Sequence, residues 1–230
     1  LTEIIHRGNI MWNAAQFAAL ALICMLSFGC AGTTSKLDID ARNAYVPSPG
    51  YTHDAPTVYV QNITDGRIFT NGTGNPADPT PEIKSAAERE ITIGRKRNGF
   101  GKAWGAIELK DGLTVKKIIR SVIEDSFTES GFTVIHDLAL AKKDTVIIDV
   151  NITKFWLWTD MGFWQGHLVT DIATMVKTQN GEIQIAATER LGIQMGTDSN
   201  AMKSVHNAIG KFRIEAREKF ALLKIAPANK

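Results

Sequence analysis

The sequence predicts an α+β fold, a two-layer sandwich of one mixed, largely antiparallel sheet with two amphipathic helices on one face. Three observations lead there. Residues 113–130 and 198–223 repeat their apolar side chains every three or four positions, the spacing of a one-faced helix. Between them, residues 144–195 alternate apolar and polar in long runs broken by short turns. Those runs follow one another directly, so neighbours pair antiparallel, whereas a doubly wound sheet needs a helix after every strand.

The chain opens on an address. Residues 1–29 read as a signal peptide: from Met11 the run MWNAAQFAALALICMLSFGC is apolar for about fifteen residues, short of the ~20 that span a bilayer. His6 and Arg7 make its basic flank. Leu26-Ser27-Phe28-Gly29-Cys30 sets a small residue directly before a cysteine, as in a bacterial lipobox, so Cys30 is expected to carry lipid and begin the mature protein. Leu26 stands one position further out than the usual pattern, and Phe28 replaces a small residue. An ordinary cleaved signal or an uncleaved anchor are the alternatives. Ala31 after the cysteine resembles lipoproteins forwarded to the outer membrane. Residues 30–56, small, polar and proline-containing, read as a flexible tether, and 57–226 as a single α+β domain.

Within the domain, Thr57 to Ile63 alternates as a first strand, and the glycines and prolines of 64–82 mark a loop. Residues 91–109 combine a short strand and glycines with Arg95, Lys96, Arg97 and Lys102. The spacing matches neither G-x-x-x-x-G-K-[ST] nor G-x-G-x-x-G, so these cations read as a solvated turn or a contact for an anionic surface. Leu113 to Ser130 buries Val115, Ile118, Ile119, Val122, Ile123 and Phe127 along one stripe, with Gly131 placed to end the helix. Phe132 to Ile135 is a short strand. In the next, Asp144 to Trp158, Ile148, Val150 and Ile152 face inward between Asp149, Asn151 and Thr153. Phe163 to Lys177 turns Leu168, Ile172 and Val176 inward and Gln165, His167 and Asp171 outward. Asn180-Gly181 suits a type I′ hairpin. Ile183, Ile185, Leu191, Ile193 and Met195 of the last strand face inward. Asp198 or Ser199 caps a final helix whose stripe is Met202, Val205, Ile209, Phe212, Ala216, Phe220 and Leu223.

These segments resemble the YajG-type bacterial lipoproteins through VYVQNITDGR, IGRKRNGFG, ESGFTV, DTVIIDVNIT, TQNGEI and NAMKSVHNAIG. The resemblance covers most of the mature chain and implies an outer-membrane-anchored lipoprotein facing the periplasm. The imperfect lipobox and the glycine- and proline-rich stretch of 66–81 depart from a short member of that family.

Composition narrows the chemistry. The 230 residues are 44% hydrophobic and 22% charged with a net charge of +2, which suits a packed domain and gives no basic stripe for nucleic acid. Cys24 and Cys30 are the only cysteines, so the body has neither a disulfide framework nor a thiol nucleophile. His6, His53, His136, His167 and His206 are dispersed, and His167 and Asp171 on one strand lie about 13 Å apart at ~3.3 Å per residue, too far to share a small ion. Asp149, Asp160, Asp171 and Glu189 need no catalytic role on a wet sheet face. Asn62, Asn71 and Asn151 are sequons that matter only in a eukaryotic secretory route. No enzyme, cofactor or metal is expected.

The segment KFWLWTDMGFWQG, residues 154–166, holds three of the five tryptophans. Continuing the even-inward register puts Trp156, Trp158 and Trp164 on the core side, leaving Phe155, Leu157 and Phe163 to make the polar face apolar. The six are read as a partner-binding patch. Alternatively the 64–104 loop, with Phe69, Phe100 and Trp104, folds over this corner, or the corner inserts at a membrane interface. The expected function is a non-enzymatic, outer-membrane-anchored periplasmic lipoprotein serving protein interaction or envelope assembly. The alternative is an accessory lipoprotein that binds lipid or lipopolysaccharide through the aromatic end and Arg95, Lys96 and Arg97.

Overall fold

The computed structural model describes residues 34–43, 55–70, 78–97, 103–161, 166–194 and 196–223. The signal peptide and Cys30 lie outside them. In chain order the elements are β1 (Ser35–Leu37), a 3₁₀ turn (Ala41–Asn43), β2 (Thr57–Asp65), α1 (Ala86–Ile91), β3 (Thr92–Arg97), β4 (Ala103–Leu109), α2 (Val115–Glu129), β5 (Thr133–Ile135), a second 3₁₀ turn (Leu138–Leu140), β6 (Val146–Met161), β7 (Gly166–Thr178), β8 (Gly181–Ile193) and α3 (Asp198–Leu223).

The protein is α+β with a mixed sheet, as expected, but the sheet is an eight-stranded curled half-barrel and not a plain sandwich layer. β6 is its spine. One edge of β6 carries β7 and then β8; the other is shared end to end, with β2 along Val146–Ile152 and β3 at Leu157–Trp158. β5 flanks β2, while β4 and then β1 flank β3. By paired length the sheet is largely antiparallel, as expected, because the meander supplies its longest ladders; the parallel joints are shorter. β1–β4, β2–β5, β2–β6 and β3–β6 are parallel, and β3–β4, β6–β7 and β7–β8 antiparallel. Alternation reveals only the meander β6–β7–β8; the parallel joints span long separations that no local pattern records.

Residues 34–43, expected as part of the tether, belong to the compact unit; 30–33 and 44–54 lie outside the described residues. β1 pairs with β4, Leu37 and Ile39 are fully buried, and Ser35 Oγ donates to Asp198 at the start of α3. Surface ion pairs Lys36–Asp111 at 2.9 Å and Lys110–Asp38 at 2.8 Å flank the strand. An isolated three-residue strand carries too little periodicity to be noticed in a polar stretch.

Both long helices cover one face of the sheet. All six residues of the expected α2 stripe are buried. Thr114 caps it by accepting from Lys117 N, and Gly131, at φ +79°, ends it so that Phe132 N can reach Phe127 O at 3.0 Å. On α3, Val205, Ile209, Phe212, Ala216 and Phe220 are buried, and the rings of Phe127 and Phe220 stack 3.7 Å apart. Two terminal details differ from expectation. Thr197, rather than Asp198 or Ser199, caps α3 by accepting from Asn200 N at 3.2 Å. The β7–β8 turn is Gln179-Asn180, one residue early: Thr178 Oγ1 accepts from Asn180 N and Gly181, at φ +136°, opens β8 opposite Thr178.

Where β2 leaves β6 and β3 has yet to join, the β6 edge would expose unpaired backbone. Arg67 fills that gap. Its side chain is 0% exposed and all five N–H donors find acceptors. Nε and Nη2 grip Asp65 at 2.9 and 2.8 Å, Nη1 reaches Thr92 O at 2.8 Å and Phe155 O at 3.3 Å, and Nη2 reaches Arg89 O at 2.6 Å. Burial pulls the Asp65 carboxyl upward, but the hydrogen bonds and charge of Arg67 outweigh it and hold the group below the ordinary range.

A second polar knot ties the helices to the N-terminal segment. Arg213 pairs with Glu129 and donates to Ala41 O at 3.4 Å, with Asp125 at 4.0 Å. Burial lifts the Glu129 carboxyl above its ordinary range against the pull of Arg213. Nearby, burial lowers the His206 imidazole, opposed by the charge of Asp40.

Two stability tests follow from these knots. Arg67→Lys keeps the charge but cannot serve five acceptors, so urea unfolding should show a loss of about 3–5 kcal/mol, the cost of breaking a buried pair; a loss under about 1 kcal/mol would mean the fork does not need the guanidinium. For His206, the native pKa is lowered, so below its ordinary 6.5 the unfolded chain takes up the proton first and stability falls as pH drops. His206→Gln should flatten that slope between about pH 7 and about pH 5, measured by unfolding at each pH.

Candidate functional site

The aromatic segment sits on the far half of β6, and one residue decides which way it faces. Ile152 pairs with Thr174 and Lys154 with Ala173, so Thr153 is a bulge with no partner of its own. Its hydroxyl donates to Ala173 O at 3.1 Å. A bulge adds one residue to a period of two, and every later side chain changes face. Ile148, Val150 and Ile152 are core residues before it; Phe155 and Leu157, both 0% exposed, are core residues after it. Trp156 and Trp158 therefore look outward, opposite Asp171 and Val169.

This reverses the sequence reading of the patch. Phe155 and Leu157 do not break the polar face; they lie under the helices, unavailable to a partner. Trp156 and Trp158 are the residues on the helix-free face. Phe163 and Trp164 fall outside the described residues, as do Lys102, Phe100 and the side chains of Arg97 and Trp104.

Trp156 is 5% exposed because Phe69 closes over it, edge to face at a centroid distance of 4.9 Å. The Arg67 guanidinium lies 4.9 Å from the Trp156 ring and 5.2 Å from that of Phe69, and Arg89 sits 4.8 Å over Phe69 from beyond. Of the loop aromatics expected over this corner, Phe69 is there. Thr70, Asp78 and Thr80 hold its loop together, Thr80 N donating to Asp78 Oδ1 at 2.9 Å.

β3 closes the other side. It meets β6 at Gly94, where a Cβ would stand 1.8 Å from Leu157 O, so only glycine permits the approach. Arg95, the next residue, is half-buried and pairs with both Ala106 and Trp158. The cations read from the sequence as a basic turn thus begin inside the sheet, beside a tryptophan.

Across β6, β7 and β8 the helix-free face is a ladder of matched charges. Asp171 accepts from Thr188 at 2.6 Å and faces Lys154 at 3.5 Å. Arg190 pairs with Asp160 at 2.7 Å and lies 3.4 Å from His167 Nδ1. His167 and Asp171 therefore serve different partners, and Asp149 is engaged by Asn62 at 3.0 Å. Glu189 belongs to the other face. Burial pulls its carboxyl up, yet Lys211 at 2.7 Å and Asn207 at 3.0 Å prevail and hold it low. The same lysine reaches Thr188 O on the outer edge of β8 at 3.3 Å, and Lys219 reaches Gln184 O at 2.6 Å. Among the described residues no three His, Cys, Asp or Glu side chains converge as metal ligands would. No described helix is long and apolar enough to cross a membrane.

Each ladder carboxylate is already held by a cation, an amide or a hydroxyl. Arg67 was invisible as a functional residue in the sequence, where Asp65-Gly66-Arg67 reads only as the start of a loop.

No family model matches the chain and no curated protein matches it, so the YajG-type resemblance stands on its quoted residues alone. Among solved structures, the chain is similar to a Xanthomonas campestris protein of family DUF330, at 9% identity over 85% of this chain and 93% of that one, TM-score 0.44. It is also similar to a putative neuraminyllactose-binding hemagglutinin homolog from Helicobacter pylori, at 10% identity over 80% and 99%, TM-score 0.34. A Neisseria meningitidis lipoprotein shares 14% identity over 68% of this chain and 96% of its own, TM-score 0.23. Scores this low carry no argument about what the chain does.

Proposed function

We propose that the chain is a non-enzymatic lipoprotein of the bacterial envelope, anchored in the outer membrane through Cys30 with its domain in the periplasm, and that it docks a protein partner on its helix-free face. The carrying observation is the join between address and fold. An apolar leader closes on Gly29-Cys30, and five residues later the chain is already in β1, paired with β4. A lipid on Cys30 would therefore hold the domain itself against the membrane, not a loose tether. The docking surface is the ladder from Lys154 and Trp158 across Asp171 to Thr188 and Arg190. It is a broad, charge-patterned strand face with a half-buried tryptophan at its rim, the kind of surface that gives orientation and specificity to a protein contact.

The anchor is checked by labelling with palmitate, which Cys30→Ala should abolish. Retained label in that variant, or none in the parent chain, removes the lipoprotein reading. For the partner, a photo-crosslinking residue at Thr188 should give a discrete adduct in cells, and one at Glu218 on α3 should not. Adducts of equal yield at both sites would sink the docking face.

A further inference from the structure

One rung crosses the sheet at its aromatic end. Arg95 pairs with Ala106 on one side and Trp158 on the other, Trp158 pairs with Val169, and Val169 with Arg190. Ser35 pairs with Ile107, beside Ala106, and β1 runs parallel to β4. The chain entering β1 therefore arrives from the side on which β4 begins. Beyond the rung on that side lie the last residues of β3 (Lys96, Arg97), the first of β4, the last of β6 (Thr159 to Met161) and the first of β7. Three features far apart in sequence share this end: the entry to β1 at Thr34, the basic end of β3, and the aromatic end of β6.

Chain length fixes the scale. The four steps from Cys30 to Thr34 reach at most about 14 Å at ~3.5 Å each. That is roughly the height by which residues 103–106 of β4 overrun Ser35, at ~3.3 Å per residue. The opposite end of the sheet, at Gln179-Asn180, is the 13 residues of β7 away, about 43 Å. A lipid on Cys30 can bring a bilayer within reach of the basic and aromatic end and not of the far turn.

We infer that this end of the half-barrel is a second, non-covalent membrane contact, resting on the anionic headgroup surface of the bilayer that the Cys30 lipid enters. The inference rests on the lipoprotein reading. Charge complementarity supports it: Lys96 and Arg97 close β3 at this end, and the acidic residue at the adjoining end of β6, Asp160, is neutralised by Arg190. Cations beside headgroup phosphates and tryptophan at the interfacial level are the side chains that such a surface selects. With this end down, the charge ladder stands upright from the membrane and open to the side.

The test uses the full, processed chain reconstituted in vesicles of phosphatidylethanolamine and phosphatidylglycerol that carry a headgroup-linked quencher. A fluorophore on Asp160→Cys should be quenched several-fold more than one on Asn180→Cys. The difference should shrink in phosphatidylcholine vesicles, in high salt, and in Lys96→Glu with Arg97→Glu, while the palmitate label stays. The phosphatidylcholine and salt arms need no further substitution, so they decide the matter even if the double variant unfolds. Equal quenching at the two ends, no quenching at either, or a difference undiminished on neutral lipid and in high salt, each with palmitate retained, overturns the inference alone and leaves this end to a protein or glycan. Loss of the chain from vesicles with no palmitate label overturns the lipoprotein reading and this inference with it.

Discussion

The fold depends on one guanidinium. A strand sixteen residues long cannot find a single neighbour to run its full length on the β2 and β3 side, so two shorter strands share that edge and leave a gap between them. Buried backbone without partners is costly, and an ion pair in the same place also loses its hydration. Arg67 and Asp65 resolve both costs together. The carboxylate neutralises the charge while the remaining donors take carbonyls from β6, from the start of β3 and from the end of α1. The arginine replaces a missing piece of strand, and its flat faces then serve as ground for Phe69 and Trp156.

From that fork the two faces of the far sheet follow. The helix side receives Phe155 and Leu157 and continues the core of Ile148, Val150 and Ile152 without interruption. On the other side Trp156 is covered from the loop, and the charges of β7 and β8 begin directly beyond it. Arg67 and the Thr153 bulge act on the same few residues of β6, one by holding the edge and the other by turning the side chains. Together they separate a greasy segment into a buried half and a half that borders a polar surface.

Much of this architecture was legible. The α2 stripe, the α3 stripe, the meander and its inward residues could be read because each depends on a local period that sequence displays directly. What was not legible depended on counting across a defect or across distance. The alternation through Ile152 gave no sign that Thr153 would be skipped, since threonine is as good in a regular strand as in a bulge. Hence Trp156 and Trp158, with Phe155 and Leu157 beside them, were assigned to the wrong faces. β1 was taken for tether because its three residues bury only Ser35 and Leu37, with Ile39 just beyond, too brief a signal beside so many small polar residues. Arg67 looked like a loop cation because nothing in Asp-Gly-Arg says that three separate backbone segments will converge on it.

The outer edge of β8 is thirteen residues long, and among the described residues β7 is its one strand neighbour. Such an edge is ordinarily an invitation to stack copy upon copy. Here α3, lying alongside, extends Lys211 and Lys219 over the lip of the sheet onto two of its outward carbonyls. The helix that completes the core thereby also blunts the rim of its sheet: an approaching strand meets ammonium groups where it would otherwise find open carbonyls.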